Sequence, residues 1–238
     1  MHNKELSFIY TIAHELKAPI ITIEGFLNAL LKDFSHELPG DAKEYLSYMD
    51  SAVRRLKAVI NDLLNLSKSS PDDNKREKFP IKDIINDVII RMRPIIKQKG
   101  IKINIHQGLP LVYGNKKQIE LVMENLISNA IKYIGRNNPD PKVDIGAREI
   151  DDKKVIFIKD NGIGIDKKYQ DKVFDIFERT PAGKKESEGT GIGLFIVKNI
   201  IEGHGGKIWV ESCKRGGSTF YIYLPEREED GSIKDSDS

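Results

Sequence analysis

His14-Glu15-Leu16-Lys17 is a charged turn in which an imidazole stands beside a carboxylate, a pairing suited to nucleophilic attack on phosphorus. One ring nitrogen can attack while Glu15 orients the imidazole or takes its proton. Pro19, five residues on, has no amide to bond the Glu15 carbonyl, so a helix through this segment is bent or loosened and its histidine turn is easier to expose. His2, His36, His106 and His204 have no such setting. Further along, Asn125, Asn129, Lys132 and Tyr133 share one face of a helical pattern whose other positions, Leu121, Leu126, Ile127 and Ala130, are apolar. An amide oxygen such as that of Asn129 suits hard Mg²⁺ as a single protein ligand beside phosphates, and Lys132 suits phosphate as a point charge. A capped, partly polar surface helix reads the same way.

Two glycine clusters follow. Asp160-Asn161-Gly162-Ile163-Gly164-Ile165 comes at the end of a strand pattern, where the carboxylate can accept from an amino group such as that of adenine. A tight turn closing a hairpin would look alike. Gly189-Thr190-Gly191-Ile192-Gly193-Leu194 opens a helix, placing free amides and the positive end of its dipole where phosphates would lie. No early strand leads into it, as a dinucleotide fingerprint requires. The charged segment 178–188 before it reads as a mobile loop, a lid over a nucleotide.

The elements that must hold these residues fall into two groups. Leu6, Ile9, Ala13, Leu16, Ile20, Ile23, Leu27 and Leu30 recur at helical spacing, as do Tyr45, Met49, Ala52, Leu56, Val59, Leu63 and Leu66, with a break over 34–41. This is a helical hairpin (residues 1–70), and two helices cannot shield both apolar faces, so a homodimeric four-helix bundle is expected. The segment 67–80 is aperiodic and reads as a linker, set at 71–79. A second domain (80–226) should contain helices at 81–98, 115–134 and 191–203, a strand at 101–105, and hairpins 143–150 with 154–159 and 207–212 with 218–224. The fold class is α+β: the hairpin, then a two-layer α/β sandwich with a mixed sheet. The acidic, serine-rich tail (227–238) is expected to fray.

Composition narrows the function. With 38 basic and 36 acidic residues among 238, the net charge of +2 gives no electrostatic case for nucleic acid or a membrane surface. The single Cys213 excludes an internal disulfide and a cysteine metal site, and is read as a buried small hydrophobe. No apolar run approaches the roughly 20 residues of a bilayer span, and a cytoplasmic location is expected. Because the candidate nucleophile lies so near the start, a sensor region is expected ahead of it in a longer protein, with membrane attachment through that region.

Taken together, the motifs resemble those of the sensor histidine kinases of two-component signalling over nearly the whole chain. The segment around His14 resembles the phosphoacceptor box, 125–133 the asparagine box, 160–165 and 189–193 the two glycine boxes, and Phe174–Phe177 the phenylalanine box. The resemblance implies a Bergerat-type ATP pocket behind a dimerisation hairpin. It implies His14 as the phosphorylated nucleophile with Glu15 as acid/base, and Asn129 on Mg²⁺ supported by Asn125. Lys132 and Tyr133 would lie near phosphates and ribose, Asp160 at adenine, Gly162 and Gly164 at the base pocket. Gly189, Thr190, Gly191, Gly193 and Leu194 would form the lid hinge, with Thr219 at adenine and Arg179 as a lid cation for the γ-phosphate. ATP and Mg²⁺ are the implied cofactors, and the receiver domain of a response regulator the implied partner.

Two departures bear on activity. Ala18 stands where the family usually has Thr or Asn and cannot align a water, so dephosphorylation of a partner by the usual route is not expected. The lid is short and contains Pro181-Ala182-Gly183, so its ordering is expected to depend on the docked hairpin. Two other classes compete with a kinase: a degenerate module that only binds nucleotide, against which the intact motifs argue, and an ATP-hydrolysing machine. Relatives of the latter carry a glutamate base where this chain has Asn125, so hydrolysis is expected to be slow.

Overall fold

In the computed structural model, which describes residues 2–34, 36–67, 75–186, 189–212 and 216–225, the chain begins with helices α1 (His2–Asp33) and α2 (Gly40–Ser67). They pair through Ala13, Ile20 and Leu27 against Val53, Ile60 and Leu64, a seam at heptad spacing, with Lys57 bridging to Glu24 at 2.6 Å. This seam takes only part of the expected stripe. Of its members, Leu16, Ile23, Leu30, Tyr45, Met49 and Leu56 are exposed, and so is Phe26 at 70%. The reason is geometric: an apolar band wider than one seam buries only part of itself against one neighbour. The side chains of Leu6, Ile9, Leu63 and Leu66 lie outside the described ones, as do Cys213, linker residues 71–74 and the tail 226–238.

The second region contains β1 (Glu77–Pro80), α3 (Ile81–Gln98), β2 (Lys102–Ile105), β3 (Leu111–Gly114) and α4 (Lys116–Lys132). After them come β4 (Lys142–Ile150), β5 (Lys153–Asp160), α5 (Pro181–Glu186), α6 (Gly193–Gly203), β6 (Lys207–Ser212) and β7 (Ser218–Tyr223). Strand order is β2-β4-β5-β7-β6, parallel only between β2 and β4, hence a mixed sheet. β1 and β3 form a separate antiparallel pair that the sequence reading missed, so the expected linker overran into structure. The Asp151-Asp152 turn between β4 and β5 has both residues at positive φ, the primed geometry that matches strand twist.

Helices α3, α4 and α6 cover one face of the sheet. Ile84, Ile85 and Val88, then Met123, Leu126 and Ile127, then Ile196, Val197 and Ile201 pack on Val143, Ile145, Ile156, Ile158, Phe220 and Ile222. The other face carries Trp209 stacked on Tyr221 at 5.2 Å with Arg148 over the Tyr221 ring. The start of α4 is held twice. Asn115 caps it through the Gln118 amide, as its sequence position predicts. Buried His204, at the end of α6, accepts the Asn115 amide on Nε2 at 3.0 Å while Nδ1 donates to the Ile200 carbonyl at 2.7 Å. Those partners dictate the neutral tautomer with hydrogen on Nδ1.

Burial pushes the His204 imidazole below its ordinary value, so the native state holds it neutral while the unfolded chain takes up a proton below about pH 6.5. Its contribution to stability is therefore present above that pH and lost on acidification. His204→Phe, which orphans the Asn115 amide, should cost about 2 kcal/mol in urea unfolding at pH 7.5 and flatten the acid-side dependence. An unchanged midpoint would count against this bolt between α6 and α4.

Candidate functional site

Along one wall of an open cleft of about 990 Å³ run Asn125, Asn129, Lys132 and Tyr133, all presented by α4 and its C-terminal cap. Val122, Met123, Leu126 and Ile127 on the opposite face are buried, and that fixes the rotation of the helix. The Asn125 amide donates to the Leu121 carbonyl at 2.9 Å, turning its Oδ1 toward Gly193, where any Cβ would collide with it. Among the described residues the Asn129 carboxamide has no hydrogen-bond partner and faces the cleft.

The floor is built on Asp160, the last residue of β5, only 5% exposed. Its Oδ1 accepts the Gly162 amide at 2.8 Å and the Ser218 amide at 3.3 Å, leaving Oδ2 as the acceptor available to a ligand. Burial pushes this carboxyl up to about 6, although both amide bonds pull the other way. Gly164 lines the cleft, whereas Gly162 lies behind it. A Cβ at 162 would drive into the Tyr133 carbonyl, which accepts the Ile163 amide at 3.0 Å, so glycine lets the floor approach the helix wall. Thr219 is off the site. Strand alternation on β7 turns it onto the outer face beside Tyr221, and Ser218 and Phe220 line the cleft instead. The same period-2 rule, applied inward from buried Phe220 and Ile222, could have found Ser218.

The third wall is the lid. Its core is not the expected loop: residues 181–186 form α5, with Thr180 Oγ1 capping the Gly183 amide at 3.0 Å and Pro181 in the first turn. Residues 187 and 188 lie outside the described ones. Arg179 lines the cleft, and its Nη2 donates to the Gly183 carbonyl at 3.1 Å. Gly189, Thr190, Gly191, Gly193 and Leu194 line it too, but the helix opens at Gly193 rather than Gly191. Gly191 has φ +76° and sits so close to Phe177 that a Cβ would come within 2.8 Å of its backbone. Phe177 is itself left-handed at φ 65°, and its amide bonds the Gly191 carbonyl at 3.0 Å. Ile163 and Ile165 of the first glycine cluster also line it, with Val173, Glu178, Thr180 and Gly183, which the sequence did not mark as site residues.

His14 and Glu15 are not among the lining residues. They stand on α1 with side chains 67% and 80% exposed, His14 Nδ1 lying 4.0 Å from Glu15 Oε1. Pro19 sits inside α1 as expected, and Thr22 Oγ1 bonds the Ala18 carbonyl in the same stretch at 3.1 Å. Among the described residues there is no cluster of three metal-ligating side chains, and no helix long and apolar enough to cross a membrane.

A recessed acceptor, a polar helix wall and a hinged lid over the start of α6 define a nucleotide pocket, carried behind an exposed histidine on a helical hairpin. Residues 4–71 match the family model of the His Kinase A (phospho-acceptor) domain, and residues 114–228 that of the histidine kinase-, DNA gyrase B- and HSP90-like ATPase. The chain is 35% identical over 219 residues to the methanogenesis regulatory histidine kinase FilI of Methanothrix harundinacea, covering 92% of this chain and 24% of that protein. It thus spans about a quarter of that relative. Full-length ShkA in complex with AMPPNP shares the fold at a TM-score of 0.67 and 21% identity, over 92% of this chain and 45% of that one. Histidine kinase ThkA in complex with the response regulator TrrA does so at 0.63 and 22%, over 95% and 64%. The chain belongs to the sensor histidine kinases of two-component systems, whose catalytic core it comprises.

Because an ionised Asp160 is a much stronger acceptor than its neutral carboxyl, adenine-nucleotide affinity should hold above pH 6 and fall by up to about tenfold per unit below it, read by calorimetry. Asp160→Asn should weaken binding at pH 7.5 and flatten that slope. A wild-type affinity independent of pH between 5 and 7 would contradict the role of this carboxylate.

Proposed function

We propose that the chain autophosphorylates His14 with ATP and passes the phosphoryl group to an aspartate of a response regulator receiver domain. The observation that carries this reading is the pairing of the nucleotide cleft around Asp160 with an exposed imidazole whose Nδ1 lies 4.0 Å from Glu15 Oε1. Nε2 attacks the γ-phosphorus. The bond from that phosphorus to its bridging oxygen breaks, ADP leaves, and Glu15 takes the Nδ1 proton. Asp160 would receive the adenine amino group, Gly162 and Gly164 shape the base pocket, and Lys132 and Tyr133 lie toward phosphates and ribose.

Mg²⁺ would be held by the Asn129 oxygen together with phosphate oxygens, a donor set that suits this cation and needs no carboxylate cage. The ion would neutralise charge developing on the phosphates. Gly189, Thr190, Gly191, Gly193 and Leu194 would close over them, and Arg179, on leaving the Gly183 carbonyl, would meet the γ-phosphate. Catalysis is then mostly positioning and charge neutralisation. Ala18 offers no hydroxyl or amide to align a water, so the chain is expected not to dephosphorylate its partner.

The exposed band of Leu16, Ile23, Phe26, Met49 and Leu56 supports a homodimer in which two hairpins make a four-helix bundle. The domains are proposed as hairpin 1–70, a linker expected at 71–79 and cut short by the strand that starts at Glu77, an ATP-binding domain running from that strand to 226, and a tail 227–238. The relative ThkA is seen with its response regulator, which supports a receiver domain as partner. A sensor region in a longer protein would gate the reaction.

Incubation with γ-labelled ATP and Mg²⁺ should label the wild-type chain with acid-labile, base-stable phosphate and leave His14→Gln unlabelled. Equal labelling of both would sink the assignment of the nucleophile. In sedimentation at micromolar concentration the wild type should run as a dimer, and Ile23→Asp with Leu56→Asp should shift it to monomer; a wild-type monomer would refute the bundle.

A further inference from the structure

Behind the floor of the cleft lies a closed ring of hydrogen bonds. Ser212, the last residue of β6, places its hydroxyl 2.7 Å from the Ile165 amide, 2.6 Å from the Gly217 carbonyl and 3.0 Å from Ser218 Oγ. A hydroxyl has one proton. The Gly217 carbonyl can only accept, so that proton goes to it. The Ile165 N–H can only donate, so it takes a lone pair of Ser212. What remains for Ser218 is to donate. Gln170 braces the arrangement from below, its Nε2 donating to the Ser212 carbonyl at 2.6 Å and the Ile165 carbonyl at 3.2 Å.

Ser218 lines the cleft beside Asp160, to which its own amide donates. With its proton committed to Ser212, its hydroxyl offers the cleft lone pairs alone. Ionised Asp160 does the same. We infer that Ser212 is a positioning residue for base selection. By fixing the proton of Ser218 it makes this end of the cleft an acceptor-only surface, which takes a purine with an exocyclic amino group at position 6 and rejects one with a carbonyl there.

The inference rests on the nucleotide reading and deepens it. A 6-amino purine brings N–H donors to these acceptors. A 6-oxo purine sets lone pair against lone pair, and the mismatch is costly because the wet alternative is lost on burial. Without Ser212 the Ser218 hydroxyl is free to rotate and donate, and the mismatch is relieved.

The test is the ratio of dissociation constants for ATP and ITP, measured by calorimetry on the full chain at pH 7.5. The wild type should favour ATP by roughly 30-fold or more, Ser212→Ala by less than about 5-fold, and Ser212→Thr, which keeps one hydroxyl, should restore the preference. Gln170→Ala should fall between. A scaffold role alone would weaken both nucleotides alike; an unchanged ratio in Ser212→Ala, or failure of threonine to restore it, overturns the inference. Should Ser212→Ala not fold, Gln170→Ala decides, an unchanged ratio again being fatal. A wild type that binds neither nucleotide defeats the nucleotide reading itself and this inference with it, and is recognised by the absence of any ratio.

Discussion

A carboxylate left almost without water at the end of a strand is a liability unless something compensates it, and the second domain is organised around that compensation. Two backbone amides reach Asp160 Oδ1, one from the turn at Gly162 and one from Ser218 on the neighbouring strand. Each demands its own close approach. Gly162 must slide under the Tyr133 carbonyl, and Gly217, preceding Ser218, must sit against the Asp160 backbone, where a side chain on either would collide. Even so the carboxyl is raised from 3.8 to about 6, which makes the folded chain lose on the order of 3 kcal/mol of stability as pH rises between those values. A ligand donor on Oδ2 would reverse that loss. The site is thus the part of the core in which stability has been traded for binding.

The rest of the architecture keeps that floor fixed and lets the roof move. The floor belongs to central strands β5 and β7, paired on both sides. The α4 wall is anchored by buried apolar residues and at its start by Asn115 and His204. The roof has none of this support. α5 is a turn and a half long, exposed along most of its length, and tied down by the Thr180 cap and by one Arg179 bond to its own backbone. Its far attachment, Phe177 against Gly191, uses two left-handed residues facing each other, a joint with few alternative conformations and little slack.

Much of this was legible from residue order. Asn115 announced a helix start, Asp151-Asp152 a hairpin turn, and the glycine spacing a backbone that must come close to something. What escaped did so for identifiable reasons. His204 was given no role because its partners, the Asn115 amide and the Ile200 carbonyl, are backbone groups that leave no mark in sequence. β1 and β3 are four-residue strands beside prolines, too short for period 2 to register. Thr219 was placed one residue from the position that alternation assigns to the cleft. The stripe on α2 was legible as apolar, but not its division: Val53, Ile60 and Leu64 make the seam to α1, while Tyr45, Met49 and Leu56 face outward.

That outward band and the separation of His14 from the cleft are two sides of one constraint. A nucleophile must approach the γ-phosphorus in line, to about 3 Å, and must also be surrendered to a second protein, so it cannot be buried in the pocket that activates its substrate. Placing it on a separate hairpin meets both demands. Val59 of α2 packs on the second domain's core, and Arg76, beyond the end of α2, donates to the Gly203 carbonyl at 2.9 Å at the end of α6. α2 itself approaches α6, the helix whose first residue, Gly193, lines the cleft. The hairpin and the glycine-rich edge of the cleft thus meet on one helix, α6.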